Sequence, residues 1–311
     1  MDTRSLLNGP LRLRHFILAT TIADHGSIVR AAEYLYVTQP VISRGLRELE
    51  EILGVPLFER GPRGVTPTLF ADAFLQHARA ILGHVQHASQ QIAELADATV
   101  GEVTVGTHVA GGNLLLPRAI ALVKAERPNV TVRVREATPD RLTDGLVSGE
   151  LDMIIGRLVP QSDDLVRQFP LYYEPFRVVA RVGHPALELD SPTLVDLHPY
   201  PWVLPVQQTA LRGELEEAFT SVSLELPSDR VECSSPITLS AMVAATDFLA
   251  VLPQTLAVND PALIALSTRL PNVHQTVGVT IIAERRPTPS GELMLSALQD
   301  AAAPIRDKSR S

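Results

Sequence analysis

Between positions 38 and 47 the chain carries Gln39, Ser43 and Arg47 at intervals of four, with Pro40 and Arg44 among them. Residues four apart share one face of a helix, so an amide, a hydroxyl and two guanidinium groups would stand together there. Groups of this kind read base edges. An amide matches adenine, a guanidinium matches guanine, and a major groove about 12 Å wide admits one helix to carry them. The element that must hold them is a helix capped by Thr38, with Pro40 in its first turn, where a missing N–H is harmless. Its inward stripe is Ile42, Leu46, Leu49 and Leu53, and Gly54 suits the position past its end. Two shorter helices should precede it. Leu13, Phe16, Ile17 and Thr20 recur at helical spacing, Gly26-Ser27 stops that run, and Ser27 offers an N-cap to the segment from Val29 to Leu35. Downstream, two β-prone runs flank Gly61-Pro62-Arg63-Gly64, a pattern for a hairpin that would hold Arg60 and Arg63 near phosphates. The same spacing also fits a solvated charged face on an ordinary three-helix bundle, because Arg44/Glu48 and Arg47/Glu51 look like routine i,i+4 pairs.

The whole chain has 311 residues and a formal charge of −8, with 45% hydrophobic and 20% charged residues. That is an ordinary globular composition with room for about two domains, and it argues against a broad nucleic-acid-coating or membrane-surface protein. The acidity is uneven. Residues 1–69 hold 8 Arg and 7 acids, so the remainder of the chain carries the negative excess. Cys233 is the single cysteine, which excludes an internal disulfide, a multi-cysteine zinc site and a paired-thiol switch; it reads as a packing thiol. No apolar stretch reaches the roughly 20 residues of a membrane span and the N-terminus lacks a signal-peptide core, so the expected location is cytoplasmic.

From Leu69 to about Asp97, the series Phe70, Phe74, Ala78, Ile81, Val85, Ala88, Ile92 and Leu95 forms one helical seam. Such a helix would span roughly 45 Å, too long and too amphipathic to lie unpaired, and pairing with its own copy is expected. His77, His84 and His87 on it lack acidic partners at ligand spacing, so neither a metal nor a cofactor is implied.

Beyond Gly101, strands and helices alternate, which predicts a mainly parallel sheet. In such sheets ligands sit where strand C-termini meet helix N-termini, because freed N–H groups favour an anionic group. Three junctions qualify: Thr107-His108 through Gly111-Gly112, Gln207-Gln208-Thr209 with Arg212 in the next helical turn, and Ser234-Ser235 before Pro236. Converging in one cleft, these residues could hold a small carboxylate-bearing molecule, although Thr209, Ser234 and Ser235 serve equally as helix caps. No Gly-x-Ser-x-Gly elbow, Walker loop, dinucleotide fingerprint or His-Glu-x-x-His is present, so the chain does not read as an enzyme.

The run from Ala31 to Arg44, followed by Leu46, Leu49-Glu50, Leu53-Gly54 and Leu57-Phe58-Glu59-Arg60, resembles the winged helix-turn-helix of LysR-type transcriptional regulators. The resemblance implies that Thr38, Gln39, Pro40, Ser43 and Arg44 face DNA and that Arg63 approaches its backbone. It departs from the family's pattern at Pro67-Thr68 and Ala71, just after the wing. It further implies a fold that is α+β overall: a DNA-binding domain over 1–68, a dimerisation helix over 69–98, and a two-subdomain α/β, periplasmic-binding-protein-like effector domain over 99–311. Subdomain I is expected at about 99–165 plus 270–305, and subdomain II at about 166–269. The chain should cross between them near Pro160 to Leu171 and near Ser267 to Val273. The expected partners are operator DNA with an imperfect inverted repeat, a small effector in the cleft, and further copies of the chain in a dimer and a tetramer.

Overall fold

The computed structural model describes residues 9–61, 64–97, 101–108, 114–159 and 165–308. Helix α1 (Leu13–His25) stops at Gly26, whose φ of 59° is left-handed. Helix α2 (Ile28–Tyr34) is capped by Ser27, whose hydroxyl oxygen accepts the Arg30 N–H. Helix α3 (Gln39–Leu53) ends at Gly54, with φ 72°. Leu18 and Ile22 of α1, Ala31 of α2 and Ile42, Leu46 and Leu49 of α3 share one core with Leu57, Phe58 and Leu75. Burying each large aliphatic side chain contributes about 1.5–3 kcal/mol, enough in sum to order a small head.

Strands β1 (Phe58–Gly61) and β2 (Gly64–Pro67) pair antiparallel with Gly61 opposite Gly64. The Val65 N–H donates to the Gly26 carbonyl at 3.0 Å, which ties this wing to the α1–α2 turn. Gly64 lies so near that carbonyl that a Cβ would collide with it. The wing exit is well formed despite its unusual sequence. Thr68 donates to the Pro56 carbonyl at 2.9 Å and caps α4 (Leu69–Ala96) by accepting the Ala71 N–H, and Ala71 is fully buried.

Helix α4 packs one face on its own chain. Ala71 and Leu75 enter the head core, Ala78 is fully buried, and Gly83 meets the backbone of Ser148 and Gly149. Near its end, the Glu94 carboxylate accepts the Ser290 N–H at 2.9 Å and a Gln90 side-chain N–H at 2.9 Å. Burial alone would raise the Glu94 pKa, but these donors outweigh it and hold it below its ordinary value. Of the expected seam, Phe74 packs on the head and Ala78 is buried, whereas Phe70, Ile81, Val85, Ile92 and Leu95 stay exposed.

After α4 come β3 (Glu102–Thr107), α5 (Leu115–Glu126), β4 (Thr131–Glu136), α6 (Pro139–Ser148), β5 (Met153–Arg157) and the long β6 (Val166–Arg181). Next are α7 (Leu194–Leu197), β7 (Trp202–Leu204), α8 (Ala210–Ser221), β8 (Arg230–Glu232), α9 (Pro236–Ala245) and β9 (Leu249–Pro253). The chain closes with α10 (Gln254–Asn259), β10 (Leu263–Ala265), β11 (His274–Ile282) and α11 (Pro289–Lys308). The strands run in the order β4-β3-β5-β11-β6-β9-β7-β8, with β10 also on β6.

Pairings of β3 with β4 and β5, and of β7 with β8 and β9, are parallel. Those made by β6 and β11 in the middle are antiparallel, so the expectation of a mainly parallel sheet holds only for the two flanks. The middle strands run against the flanks because they carry the chain between lobes. Through Pro175, β6 pairs with β11; from Phe176 it pairs with β9. The first passage therefore falls at Pro175–Phe176, later than the expected Pro160 to Leu171. The return lies between Leu266, still bonded to Val178, and His274 at the start of β11. One lobe buries Val105, Ile155, Val279 and Leu298, and the other buries Val178, Trp202, Phe219 and Leu249. Among the described residues no helix is long and apolar enough to cross a membrane, and no group of three or more His, Cys, Asp or Glu could hold a metal ion.

Candidate nucleic-acid interface and ligand cleft

With Ile42, Leu46 and Leu49 turned inward, the N-terminal half of α3 presents Thr38, Gln39, Pro40, Arg44 and Arg47 to solvent, and Ser43 is half-buried. Thr38 has the extended backbone of an N-cap, but its hydroxyl makes no capping hydrogen bond, which leaves that group uncommitted. Among the described residues no ion pair engages Arg44 or Arg47. Glu48, the candidate partner of Arg44, instead accepts from Arg14 at 2.8 Å and lies 3.6 Å from His15 Nε2. His15 is fully buried, and its Nδ1 accepts the Arg12 N–H at 3.1 Å. Burial lowers its pKa and outweighs the pull of Glu48. Glu48 is thus committed to α1, and two guanidinium groups of α3 are left out of the ion pairs among the described residues, an arrangement suited to phosphates and guanine edges. Ser27 caps α2, Arg63 lies outside the described residues, and of Arg60 only the backbone, in β1, is described.

A cavity of about 760 Å³ opens between the lobes, with the C-terminal ends of β3 and β5 on one side and the starts of α8 and α9 on the other. Its wall is largely apolar, from residues such as Leu142, Leu146, Phe176 and Leu239, and its polar groups include His108, Arg157, Gln208, Thr209 and Ser234. The His108 ring lies against Gly156, where a Cβ would strike it, and Nε2 accepts the Arg157 N–H at 3.2 Å. Burial, reinforced by the Arg157 charge, lowers the His108 pKa. A neutral ring accepting through Nε2 carries its proton on Nδ1, so His108 has an N–H to offer. The Arg157 guanidinium pairs with Glu214 of α8 and joins the two lobes beside the cavity. The second Glu214 oxygen is buried without a hydrogen-bond partner among the described residues.

A family model described as "Bacterial regulatory helix-turn-helix protein, lysR family" matches residues 13–72, and one described as "LysR substrate binding domain" matches residues 96–303. The chain belongs to the LysR-type transcriptional regulators. It is 34% identical to the HTH-type transcriptional regulator GbpR of Azospirillum brasilense over 253 residues, covering 81% of this chain and 74% of that one. It is 28% identical to PcaQ of Agrobacterium fabrum over 301 residues, covering 96% and 97%. Among solved structures it is similar to a full-length OxyR variant from Pseudomonas aeruginosa, with a TM-score of 0.69, 29% identity and 94% of each chain covered. This LysR-type protein is a DNA-binding transcriptional regulator with an effector-binding domain, and its relatives are named regulators rather than enzymes.

Not every residue expected in the cleft of this LysR-type regulator reaches it. The buried Thr107 hydroxyl donates to the Ile155 carbonyl at 3.1 Å and lies behind the wall. Arg212 is 2% exposed and donates to Glu216 at 2.7 Å, the Pro205 carbonyl at 2.9 Å and Glu232 at 3.0 Å. Burial would lower its pKa, but the two carboxylates outweigh it, so Arg212 is a charged strut inside one lobe. Gln207 is exposed outside the cavity, and Ser235, also outside, caps α9 by accepting the Thr238 N–H at 3.3 Å. Thr209 does line the cavity, but its hydroxyl both donates to Val206 and accepts the Arg212 N–H. Gln208, Ser234 and His108 are placed as expected, while Gly111-Gly112 lies outside the described residues. Cys233 is half-buried, packing against the Val203 and Leu239 core of the second lobe as a packing thiol does, and it also lies on the cavity wall. Sequence reasoning missed Arg157, although a charged residue at the C-terminal end of a strand is the signal that finds such groups.

Proposed function

We propose that this regulator reads an imperfect inverted repeat as a dimer paired through the exposed stripe of α4, with dimers assembling into a tetramer in the cytoplasm. Residues 1–68 form the DNA head, 69–98 the pairing helix and 99–311 the sensor. Thr38, Gln39, Pro40, Ser43, Arg44 and Arg47 supply the groove contacts, with Ser27, Arg60 and Arg63 toward the backbone. Symmetric heads call for a symmetric site, and doubling a modest contact set gives avidity that a single head lacks.

The effector is a small carboxylate bound beside Arg157, and the position of that guanidinium on a mostly apolar cavity wall carries this reading. A carboxylate there would compete with Glu214 for Arg157, take the His108 Nδ1–H, and face the unpaired N–H groups at the start of α8. Leu142, Leu146 and Leu239 favour an apolar body over a sugar acid. The ligand shifts activity only as far as it binds the two arrangements of the lobes unequally.

The test is ligand-induced thermal stabilisation of the full chain with aromatic acids, medium-chain aliphatic acids and sugar acids, repeated with Arg157→Met. Stabilisation by an apolar carboxylate, lost in Arg157→Met, supports the reading, since a ligand at a hundred times its Kd adds about 2.7 kcal/mol. Equal stabilisation by the uncharged amide of the same acid contradicts it. For the head, mobility shift on the DNA upstream of its own gene must show sequence-selective retardation; its absence contradicts the proposed readout.

A further inference from the structure

Helix α2 ends in a two-bond cap. The Tyr36 N–H donates to the Glu33 carbonyl at 3.2 Å and the Val37 N–H reaches back to the Ala32 carbonyl at 3.0 Å. That pattern needs a left-handed residue just past the helix, a place that glycine fills without steric penalty. The other two helix ends of the head obey this, at Gly26 and Gly54. Here the position is held by Tyr36, with φ 54°. A bulky residue in this region is strained, and such strain persists where function draws on it.

The side chain gives the chain nothing in return. Tyr36 is 97% exposed, with no ring contact or side-chain hydrogen bond among the described residues. Tyr34, also exposed, at least packs its ring against His25, with centroids 4.7 Å apart and the planes tilted by 42°. Every residue from Tyr36 to Val41 is exposed, so the phenol belongs to the same uncovered strip as Gln39 at the start of α3.

In helix-turn-helix docking the second helix enters the groove while the first crosses the backbone, so the turn between them meets the groove's edge. Phosphates line that edge, and a tyrosine hydroxyl donates to them as a positioning contact that carries no sequence information. We infer that Tyr36 is a DNA-backbone contact, its hydroxyl donating to a phosphate oxygen at the rim of the groove; this rests on the reading of α3 as the groove-entering helix.

The experiment is fluorescence anisotropy of the full chain on labelled DNA from upstream of its own gene and on a scrambled duplex of equal length. Wild type, Tyr36→Gly, Tyr36→Phe and Arg44→Ala are compared across a salt series, with melting temperature and gel filtration for each. Tyr36→Gly is expected to melt no lower than wild type, yet to bind both duplexes roughly 3- to 10-fold more weakly. The salt dependence should not change, because a neutral phenol displaces no counterion. Tyr36→Phe should reproduce most of the loss, whereas Arg44→Ala should chiefly reduce the preference for the upstream DNA. Wild-type affinity in Tyr36→Gly beside lost preference in Arg44→Ala overturns the assignment and leaves the docking of α3 standing. Wild-type behaviour in both overturns the docking itself, and a smaller species on gel filtration of Tyr36→Gly overturns the assignment in favour of a subunit contact.

Discussion

Arg212→Met separates the two roles open to that residue, a ligand contact or an internal strut. Methionine keeps the unbranched stem that packs at 2% exposure and removes only the guanidinium. Of the three acceptors it deserts, the Glu232 and Glu216 side chains are 36% and 48% exposed, so water re-solvates them, and each screened pair is worth at most about 0.5 kcal/mol. The Pro205 carbonyl is different. It sits on a buried residue and would lose its charge-assisted donor, a deficit of about 1–3 kcal/mol. Removing a buried cation returns part of this through relieved desolvation, which leaves a net loss near 2 kcal/mol. Trp202 is the only tryptophan, is fully buried in the same lobe, and packs edge-on to Phe219 of α8, so its fluorescence reports unfolding of that lobe. Urea titration should show a lower midpoint at unchanged slope, with the half-maximal effector concentration of the folded protein unaltered. An unchanged midpoint together with a lost effector response would refute the strut and restore Arg212 to the cleft.

Three further outcomes are expected. Gln39→Ala and Arg44→Ala should each weaken binding to the selected DNA by about 1–3 kcal/mol without moving the melting temperature, and mobility-shift titrations showing full affinity in both would contradict the docking. His15 is held neutral by burial, so its contribution to stability is complete above its ordinary pKa of 6.5 and is lost as pH falls through its lower folded value. Circular dichroism of the head helices should therefore show declining stability on acidification, less steep in His15→Gln; an identical slope in that variant counts against the mechanism. Placing lysine at both Ile92 and Leu95, which are 68% and 71% exposed, should convert the dimer to monomer in sedimentation velocity while α4 stays helical, and an unmoved dimer would place the pairing face elsewhere.

The head was readable because its signals are local. Thr38, Pro40 and Gly54 mark the ends of α3, and the Ile42, Leu46 and Leu49 stripe fixes which face is left for DNA. The first half of β6 was not readable. Pro170 and Pro175 argue against a strand, yet Pro170 stands opposite Gly278, next to the register shift of the β6–β11 pairing, where an irregular ladder needs no donor from it. The cleft was legible as a place but only partly as a set of residues. A sequence can nominate Thr107 and Arg212 by type, but whether a buried polar group is already satisfied depends on neighbours distant in the chain, here the Ile155 carbonyl and Glu232. Arg157 shows the converse, since nothing near it in sequence announces Glu214 across the cleft.

Helix α6 presents Leu142 and Leu146 to the cavity, while at its end Ser148 and Gly149 meet Gly83 of α4 backbone to backbone. Arg285 holds that last turn by donating to the Leu146 and Val147 carbonyls at 3.1 and 3.3 Å. Contacts through long side chains absorb small shifts by changing rotamer; a glycine seam has no rotamers to change, and packed interiors transmit strain because they compress so little. The cavity wall and the helix that carries the head therefore meet backbone to backbone, at a contact with little slack between them.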